Sequence, residues 1–278
     1  MFKKLFDFFV FSSLFIAVCA VIMVYQTEYL FHLPLLYPLL GFVFFGTLCS
    51  YSFHWYLTPS LPSHSLRVQW AQRHKSLHLA LFFISGIASA VFLYQLRQHW
   101  LWLLASAFIT FLYSAPKVPF YPFLHLRKIA RAKTLFLAFV WTHITALLPI
   151  LISSAPFTGA HTVFVLNRFF LIYPICILFD FRDREQDKTE GIKSLITSLE
   201  EKYIDMIFWG CLIVFLLTTV GLYFYHFSLP ILLILLLPGI ILALLYYPSK
   251  KSFSDYLYNF VLDGLMALSG LLLLVFPF

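Results

Sequence analysis

Long apolar runs recur along almost the whole chain, and they restrict its possible folds more than any other feature. In residues 5–25 and 204–225, for example, apolar side chains occupy nearly every position. Such runs are typical of helices buried on all sides, whereas the strands of a membrane barrel would alternate apolar and polar residues. Of the 278 residues, 62% are hydrophobic and 11% charged, whereas about a quarter are charged in soluble domains. The sequence therefore predicts an all-α integral membrane bundle.

Nine apolar stretches have the length of about 20 residues that a helix needs to cross a bilayer. We place the spans at 5–25, 33–57, 77–95, 99–115, 134–153, 163–180, 203–225, 229–247 and 256–276. The first follows Lys3 and Lys4 but lacks a small-residue cleavage site, so we interpret it as a retained helix rather than a signal peptide. We expect residues 1–278 to form a single transmembrane domain.

Basic residues are distributed very unevenly between the predicted loops. If the N-terminus is cytoplasmic, Arg97 and Arg168 alone among the 19 Lys and Arg residues fall on the outer side. The positive-inside rule predicts such a bias. We therefore expect a multi-pass protein of the cell membrane, with the N-terminus cytoplasmic and the C-terminus outside. Because topology accounts for the net charge of +7, we expect the lipid bilayer as a partner and no nucleic acid.

Most of the 12 acidic residues lie between Asp180 and Asp205, whereas residues 29–179 contain none. Asp180, Asp183 and Asp187 follow the sixth predicted span at spacings that place them on one face of a continuing helix. Oxygen ligands of this kind suit Mg²⁺, which often bridges carboxylates to a phosphate.

A salt-bridged helix end explains the same acidic residues without a metal. In that interpretation Asp180 pairs with Arg184, and Asp187 lies near Arg184 and Lys188. The spacing alone leaves both interpretations open.

The acidic segment also resembles a motif of a known family. Asp180, Asp183 and Asp187, followed by Gly-Ile-Lys-Ser-Leu at 191–195, resemble the second aspartate-rich motif of the UbiA superfamily of membrane prenyltransferases. The resemblance implies nine transmembrane helices with this motif after the sixth. It also implies that the three aspartates bind catalytic Mg²⁺, and that an isoprenyl diphosphate donates its prenyl group to a membrane-soluble lipid or aromatic acceptor.

The loop after the fourth span resembles the same family. Tyr-Ser-Ala-Pro-Lys, from Tyr113 to Lys117, is similar to the family's Tyr-Ser/Thr-x-Pro turn, and Arg127, Arg131 and Lys133 resemble its basic segment. The resemblance implies that these basic residues, with Tyr113, form a diphosphate-binding group, because cations hydrogen-bond phosphate oxygens strongly. The positive-inside bias would by itself also explain the basic residues.

The family's first aspartate-rich motif, Asn-Asp-x-x-Asp-x-x-x-Asp at the end of the second helix, is missing. Its positions are occupied by Ser50, Tyr51, His54 and Thr58. A site without these carboxylates has lost up to three metal ligands. The following loop carries Arg67, Arg73 and Lys75, cations that could neutralise a diphosphate directly.

Two functions remain open on the sequence. The first is a UbiA-like intramembrane prenyltransferase. The alternative is a diverged, non-catalytic UbiA-like membrane protein that at most binds a lipid diphosphate. Transport is less well supported, because ionisable residues deep in the predicted spans are few, His143 and Asp263 being the clearest.

Overall fold

The computed structural model describes residues 2–58, 65–115, 133–189 and 194–277, and these form a bundle of helices. In chain order the helices are α1 (Phe2–Phe11), α2 (Leu14–Leu30), α3 (Tyr37–Leu57), α4 (Leu66–Arg73), α5 (Lys75–Gln95), α6 (Trp100–Ser114), α7 (Lys133–Ile152), α8 (Gly159–Thr189), α9 (Leu195–Ser198), α10 (Glu201–Gly221), α11 (Leu229–Lys251) and α12 (Leu257–Val275). Single π segments interrupt α7 at His143–Leu147 and begin α12 at Leu257–Leu262.

Six helices of the described residues are long and apolar enough to cross a membrane: α5, α7, α8, α10, α11 and α12. Counting α1 and α2 together as one bent span raises the number to seven. The predicted number of nine is not confirmed. The predicted spans 33–57 and 99–115 do coincide with helices, α3 and α6. However, α6 has only 15 residues, and the second half of α3 is rich in Ser, Tyr, His and Trp.

The first predicted span, 5–25, is not one straight helix. The chain bends by 60° between α1 and α2, where Ser13 adopts a left-handed conformation with φ 73°. A non-glycine residue rarely takes such a conformation inside a helix. The apolar helix of the bundle therefore runs from Leu14 to Leu30, and α1 meets it at an angle.

The core is built around α2, which packs against α3, α7 and α12. Ala17, Ala20 and Met23 of this helix are fully buried. The contact with α12 is very close, since a Cβ added to Gly270 would lie 2.8 Å from the Ile22 carbonyl oxygen. Small residues allow helices to approach in this way in membranes, so Gly270 fixes α12 against the central helix.

The outer surface of the bundle is apolar. Val91, Leu101, Leu217 and Leu244 are each more than half exposed. Exposed apolar surface on this scale is expected where lipid replaces water as the solvent. Together with the long apolar helices, it indicates a multi-pass membrane protein.

Charged side chains gather at one end of the bundle, which we call the charged end. It is formed by the C-terminal turns of α3, α6, α8 and α11, the N-terminal turns of α5, α7, α10 and α12, and the short helices α1 and α4. The Tyr256 hydroxyl, just before α12, donates to Asp7 of α1 at 2.6 Å. Lys250 of α11 pairs with Asp205 of α10 at 2.9 Å. The candidate site lies at this end.

Candidate functional site

The three aspartates predicted to bind metal all lie on α8, which continues without a break to Thr189. Asp180 and Asp187 are buried, at 8% and 7% exposure. The Thr134 hydroxyl of α7 donates a hydrogen bond to Asp180. The acidic segment is therefore helical, as its spacing predicts. Thr134 of α7 contacts its first carboxylate, that of Asp180.

Asp183 is held by its neighbour Arg182. The guanidinium donates from Nε to Oδ1 at 2.7 Å and from Nη2 to Oδ2 at 3.2 Å. It also lies 4.8 Å from the ring centroid of Tyr258 on α12. The bidentate pair and the aromatic contact fix Arg182 between α8 and α12.

The ion pair between Asp180 and Arg184, predicted as the alternative to a metal site, does not form. Arg184 turns instead to the backbone and donates to the Leu199 carbonyl at 2.8 Å. Lys188 pairs with Glu185 at 2.8 Å on the exposed side of the helix. In place of the predicted Arg184 from its own helix, Asp180 thus has the Thr134 hydroxyl of α7 as a partner.

Lys133 and Tyr113 lie beside the acidic segment. Lys133 begins α7, and its ammonium lies within electrostatic range of Tyr113 and of all three aspartates. Tyr113, in the last turn of α6, lies within range of Asp180 and Asp183. The structure therefore brings together five residues that the sequence assigned to one site. The other predicted phosphate ligands, Lys117, Arg127 and Arg131, lie outside the described residues.

Opposite the acidic segment, the short helix α4 carries Arg67 into the bundle. Asp255 anchors the start of α4: its carboxylate accepts from the Ser65 hydroxyl at 2.8 Å and from the Leu66 amide at 2.6 Å. A carboxylate at a helix N-terminus satisfies free amides and complements the helix dipole. Asn259, four residues after Asp255, accepts a hydrogen bond from Arg67 Nη1. Two residues near the C-terminus thus determine where Arg67 lies.

Arg67 is 5% exposed and its guanidinium lies 4.7 Å from the ring centroid of Trp55 on α3. Its second hydrogen bond, from Nη2 to the Ser13 hydroxyl, is 3.4 Å long. Burial lowers the pKa of Arg67, and the nearby Asp263 carboxylate opposes the shift. Because an arginine stays protonated in proteins, Arg67 remains a buried cation whose hydrogen-bond partners are uncharged.

The two groups are parts of one charged region. Arg182 lies within electrostatic range of Arg67, and Asp255 lies within range of both arginines. We call Asp180, Asp183, Asp187 and Lys133 the acidic side of the charged end, and Trp55, Arg67, His78 and Asn259 its arginine side.

The residues at the positions of the missing motif lie between these two sides. Tyr51 is half-buried and lies within electrostatic range of Arg67 and Tyr113. The His54 ring stacks on Tyr113 with ring centroids 5.6 Å apart, and the Thr58 hydroxyl donates to the His54 carbonyl at 2.9 Å. Ser50 is half-buried on the same helix. Aromatic contacts thus occupy the positions that we align with the carboxylates of the family's first motif.

Comparisons with known proteins agree with this architecture. The structure is similar to the apo structure of a UbiA homolog from Aeropyrum pernix K1, with a TM-score of 0.57 over 96% of this chain and 97% of that chain. The chain has a UbiA-like fold. Sequence identity over the alignment is only 13%, and comparison of the sequence with protein-family models and with curated proteins finds no match. The likeness therefore extends over the whole bundle and concerns the fold.

The resemblance of the acidic segment to the UbiA family implies Mg²⁺. The acidic side suits this ion only as a partial set of ligands. Among the described residues, no three His, Cys, Asp or Glu side chains converge as a ready-made metal cage. However, Mg²⁺ is commonly held by one or two carboxylates together with waters and substrate phosphates. Asp180 and Asp183 lie within electrostatic range of each other and provide such a pair of oxygen donors. The donor set therefore suits an ion that arrives with a diphosphate.

Several residues of the charged end were not assigned a role from the sequence. Thr134, Asp255 and Asn259 belong to no motif, and Arg67 was predicted only as one cation of a loop. The pair Asp255 and Asn259, at spacing i and i+4 before an apolar run, was the one available signal. It indicates two polar groups on one helix face but does not identify their partner in α4.

Proposed function

We propose that this UbiA-like protein is an intramembrane prenyltransferase that moves a prenyl group from an isoprenyl diphosphate to a lipid or aromatic acceptor. The observation that supports this best is the meeting of Tyr113 and Lys133 with Asp180 and Asp183 at one end of the bundle. A cation and a phenol next to carboxylates match a diphosphate that carries a divalent ion.

In the proposed reaction Asp180, Asp183 and Asp187 would hold Mg²⁺, which would supply positive charge for the leaving diphosphate. Lys133 binds phosphate oxygens from the opposite side, and we assign the same role to Lys117, Arg127 and Arg131. The bond between the allylic carbon and the diphosphate oxygen breaks, and its electron pair leaves with the diphosphate. The acceptor forms a bond to the allylic carbon and loses a proton.

Asp180 and Asp183 have different roles in this proposal. Asp180 is buried and oriented by the Thr134 hydroxyl, so it is positioned before any ligand arrives. The side chain of Asp183 is 41% exposed and paired with Arg182. Because the Asp183 carboxylate is partly exposed, a metal ion can reach it from the solvent and can replace the guanidinium as its cationic partner.

The test is a prenyl-transfer assay on the purified full-length protein in lipid nanodiscs with Mg²⁺. The substrates are radiolabelled farnesyl and geranylgeranyl diphosphate, with a total membrane lipid extract as the source of acceptors. We expect diphosphate release and a labelled lipid product. We expect Asp183→Asn and Lys133→Ala to lower both by about 10²-fold or more, because each removes a charge that acts on the leaving group. Glu185→Gln, an exposed change on the same helix, is the matched control.

The outcomes separate the proposal from the non-catalytic alternative. Product formation that depends on Asp183 and not on Glu185 supports the enzyme. Binding of farnesyl diphosphate with Mg²⁺, without diphosphate release by the wild type, would support a protein that only binds a lipid diphosphate. The absence of both binding and release would contradict the enzyme and would leave a diverged UbiA-like protein that binds no lipid diphosphate.

A further inference from the structure

Three side chains on the arginine side have buried nitrogen atoms without a hydrogen-bond partner. These atoms are Nε of Arg67, Nε1 of Trp55 and both ring nitrogens of His78, one of which is a donor in the neutral imidazole. Trp55 lies against the Arg67 guanidinium, and His78, which is fully buried, lies within electrostatic range of it. An unpaired buried donor is destabilising, so the concentration of such groups around one cation needs a physical explanation.

The chemistry of these groups indicates what is missing. Guanidinium and indole nitrogens only donate hydrogen bonds, so the missing partner must be an acceptor. No carboxylate of the described residues forms an ion pair with Arg67, whose hydrogen bonds go to Asn259 and Ser13. A buried guanidinium strongly favours an anion, and its planar fork matches phosphate oxygens. A single oxyanion would satisfy both the charge and the unpaired donors.

Arg168, the other deeply buried arginine, also has an unpaired Nε and only neutral hydrogen-bond partners. It lies inside the membrane-spanning α8, where it donates to the Met266 carbonyl at 3.1 Å and to Gln26. Gln26 is in turn bonded to Ser269 at 2.9 Å. Arg67 differs in its surroundings, because it lies at the charged end beside the acidic side and next to the unpaired nitrogens of Trp55 and His78.

We propose that Arg67, Trp55 and His78 form a metal-independent binding site for a phosphate-type oxyanion, and that its ligand is the diphosphate group of the prenyl donor. The identity of the ligand rests on the proposed function, whereas the anion site itself rests on the buried donors. Arg182 lies within electrostatic range of both Arg67 and Asp183, so the two sites are neighbours. In this proposal one end of the diphosphate contacts the metal-binding aspartates, and the other end contacts Arg67 without a metal. Arg67 is then a fixed cation that needs no carboxylate ligands around it.

The site can be tested with inorganic pyrophosphate in the presence of EDTA. Binding to the detergent-purified full-length protein is measured by calorimetry and by the shift in melting temperature. We expect the wild type to bind pyrophosphate without Mg²⁺. Arg67→Gln is expected to weaken binding about 10- to 100-fold, since it removes charged hydrogen bonds, and Trp55→Phe about 2- to 10-fold, since it removes one neutral donor. The Phe variant keeps an aromatic ring at position 55, so it separates loss of the donor from failure to fold.

Arg73→Gln is the matched control. The sequence groups Arg73 with Arg67 as a loop cation, but the structure places it exposed at the other end of the same helix, so we exclude it from the site. This variant changes the net charge equally and is expected to bind pyrophosphate as the wild type does. Equal weakening by Arg67→Gln and Arg73→Gln would show diffuse attraction by basic residues and would overturn the site. So would the absence of any response of the wild type to pyrophosphate in EDTA.

Further ligands distinguish the possible sources of the anion. Farnesyl diphosphate is expected to compete with pyrophosphate at this site, whereas nanodiscs of phosphatidylglycerol and of phosphatidylcholine are expected to give the same pyrophosphate affinity. Competition by phosphatidylglycerol would identify the ligand as a lipid headgroup. Binding of benzoate by a protein that does not bind pyrophosphate would identify the ligand as a carboxylate. Either result overturns the diphosphate assignment. Arg67-dependent pyrophosphate binding in a protein that transfers no prenyl group would leave the anion site standing and contradict the proposed function.

Discussion

The acidic side and the arginine side of the charged end manage buried charge in opposite ways. On the acidic side each carboxylate has a nearby donor or cation: Thr134 for Asp180, Arg182 for Asp183 and Lys133 close to both. On the arginine side Arg67 has only neutral partners, and neighbouring donors remain unpaired. The first arrangement is stable when empty and exchanges partners when a metal arrives. The second lacks an acceptor and gains most from a bound anion.

Reversing the charge on the arginine side is expected to have the largest effect. Arg67→Glu would place a carboxylate within range of Asp255 and Asp263 and would leave Asn259 without its donor. Breaking a buried charge network costs about 3–5 kcal/mol, so we expect a large fall in the melting temperature in detergent. Arg73→Glu, on the exposed end of α4, should change it little. Equal stability of the two variants would contradict the described position of Arg67.

The acidic side should be less sensitive, because its main anchor is a neutral hydroxyl. Thr134→Val keeps the shape of the side chain but removes the donor to the buried Asp180. We expect a loss of about 1–3 kcal/mol in denaturant or thermal unfolding. Thr110→Val is the control, since the Thr110 hydroxyl bonds only to the Ser106 carbonyl of its own helix, at 2.8 Å. A larger loss for the control would mean that Thr134 does not support Asp180.

Asp183→Asn should have a still smaller effect on stability and a clear effect on ligand binding. Its pair with Arg182 is partly exposed, at 41% and 20% for the two side chains, so we expect a loss of at most about 1 kcal/mol. The additional stabilisation by Mg²⁺ with farnesyl diphosphate should disappear, while the pyrophosphate response in EDTA should remain. Loss of both responses would show that the two sides are not separable.

Glu185→Gln is expected to have the smallest effect on stability and on ligand binding. Glu185 pairs with Lys188 on the exposed face of α8, and we expect no measurable change in melting temperature, in the Mg²⁺ response or in pyrophosphate binding. Any change comparable to that of Asp183→Asn would indicate that the whole segment, rather than the buried face, carries the ligand response.

The sequence predicts the helical architecture well, because apolar composition decides which segments enter a bilayer. It does not predict the bend at Ser13, since apolar residues continue through the break and the left-handed backbone there leaves no pattern. The shared helix of Asp180, Asp183 and Asp187 follows from their spacing, and Lys133 and Tyr113 follow from the family resemblance. Whether these residues bind Mg²⁺ stays a prediction.

The buried position of Arg67, in contrast, does not follow from the sequence. It depends on Asp255, which bonds to Ser65 across 190 residues of sequence, and on Asn259, which receives the guanidinium. No local period or spacing connects α4 with the start of α12. Long-range polar contacts of this kind require the tertiary structure, so from the sequence Arg67 was one of several loop cations.

The π segment Leu257–Leu262 makes this part of α12 unusually tolerant of a single-codon deletion. A π segment contains one residue more than regular α-helix would, whereas removing one residue from a regular helix rotates everything that follows by about 100°. Asn259 lies within the segment and Asp263 directly after it. A deletion between these two residues would restore an ordinary helix and keep Asp255, Asn259 and Asp263 on their present faces, whereas the same deletion after Asp263 would turn Gly270 away from α2. In a family of related genes, we therefore expect length changes of one residue within this segment and not in the regular helix that follows it.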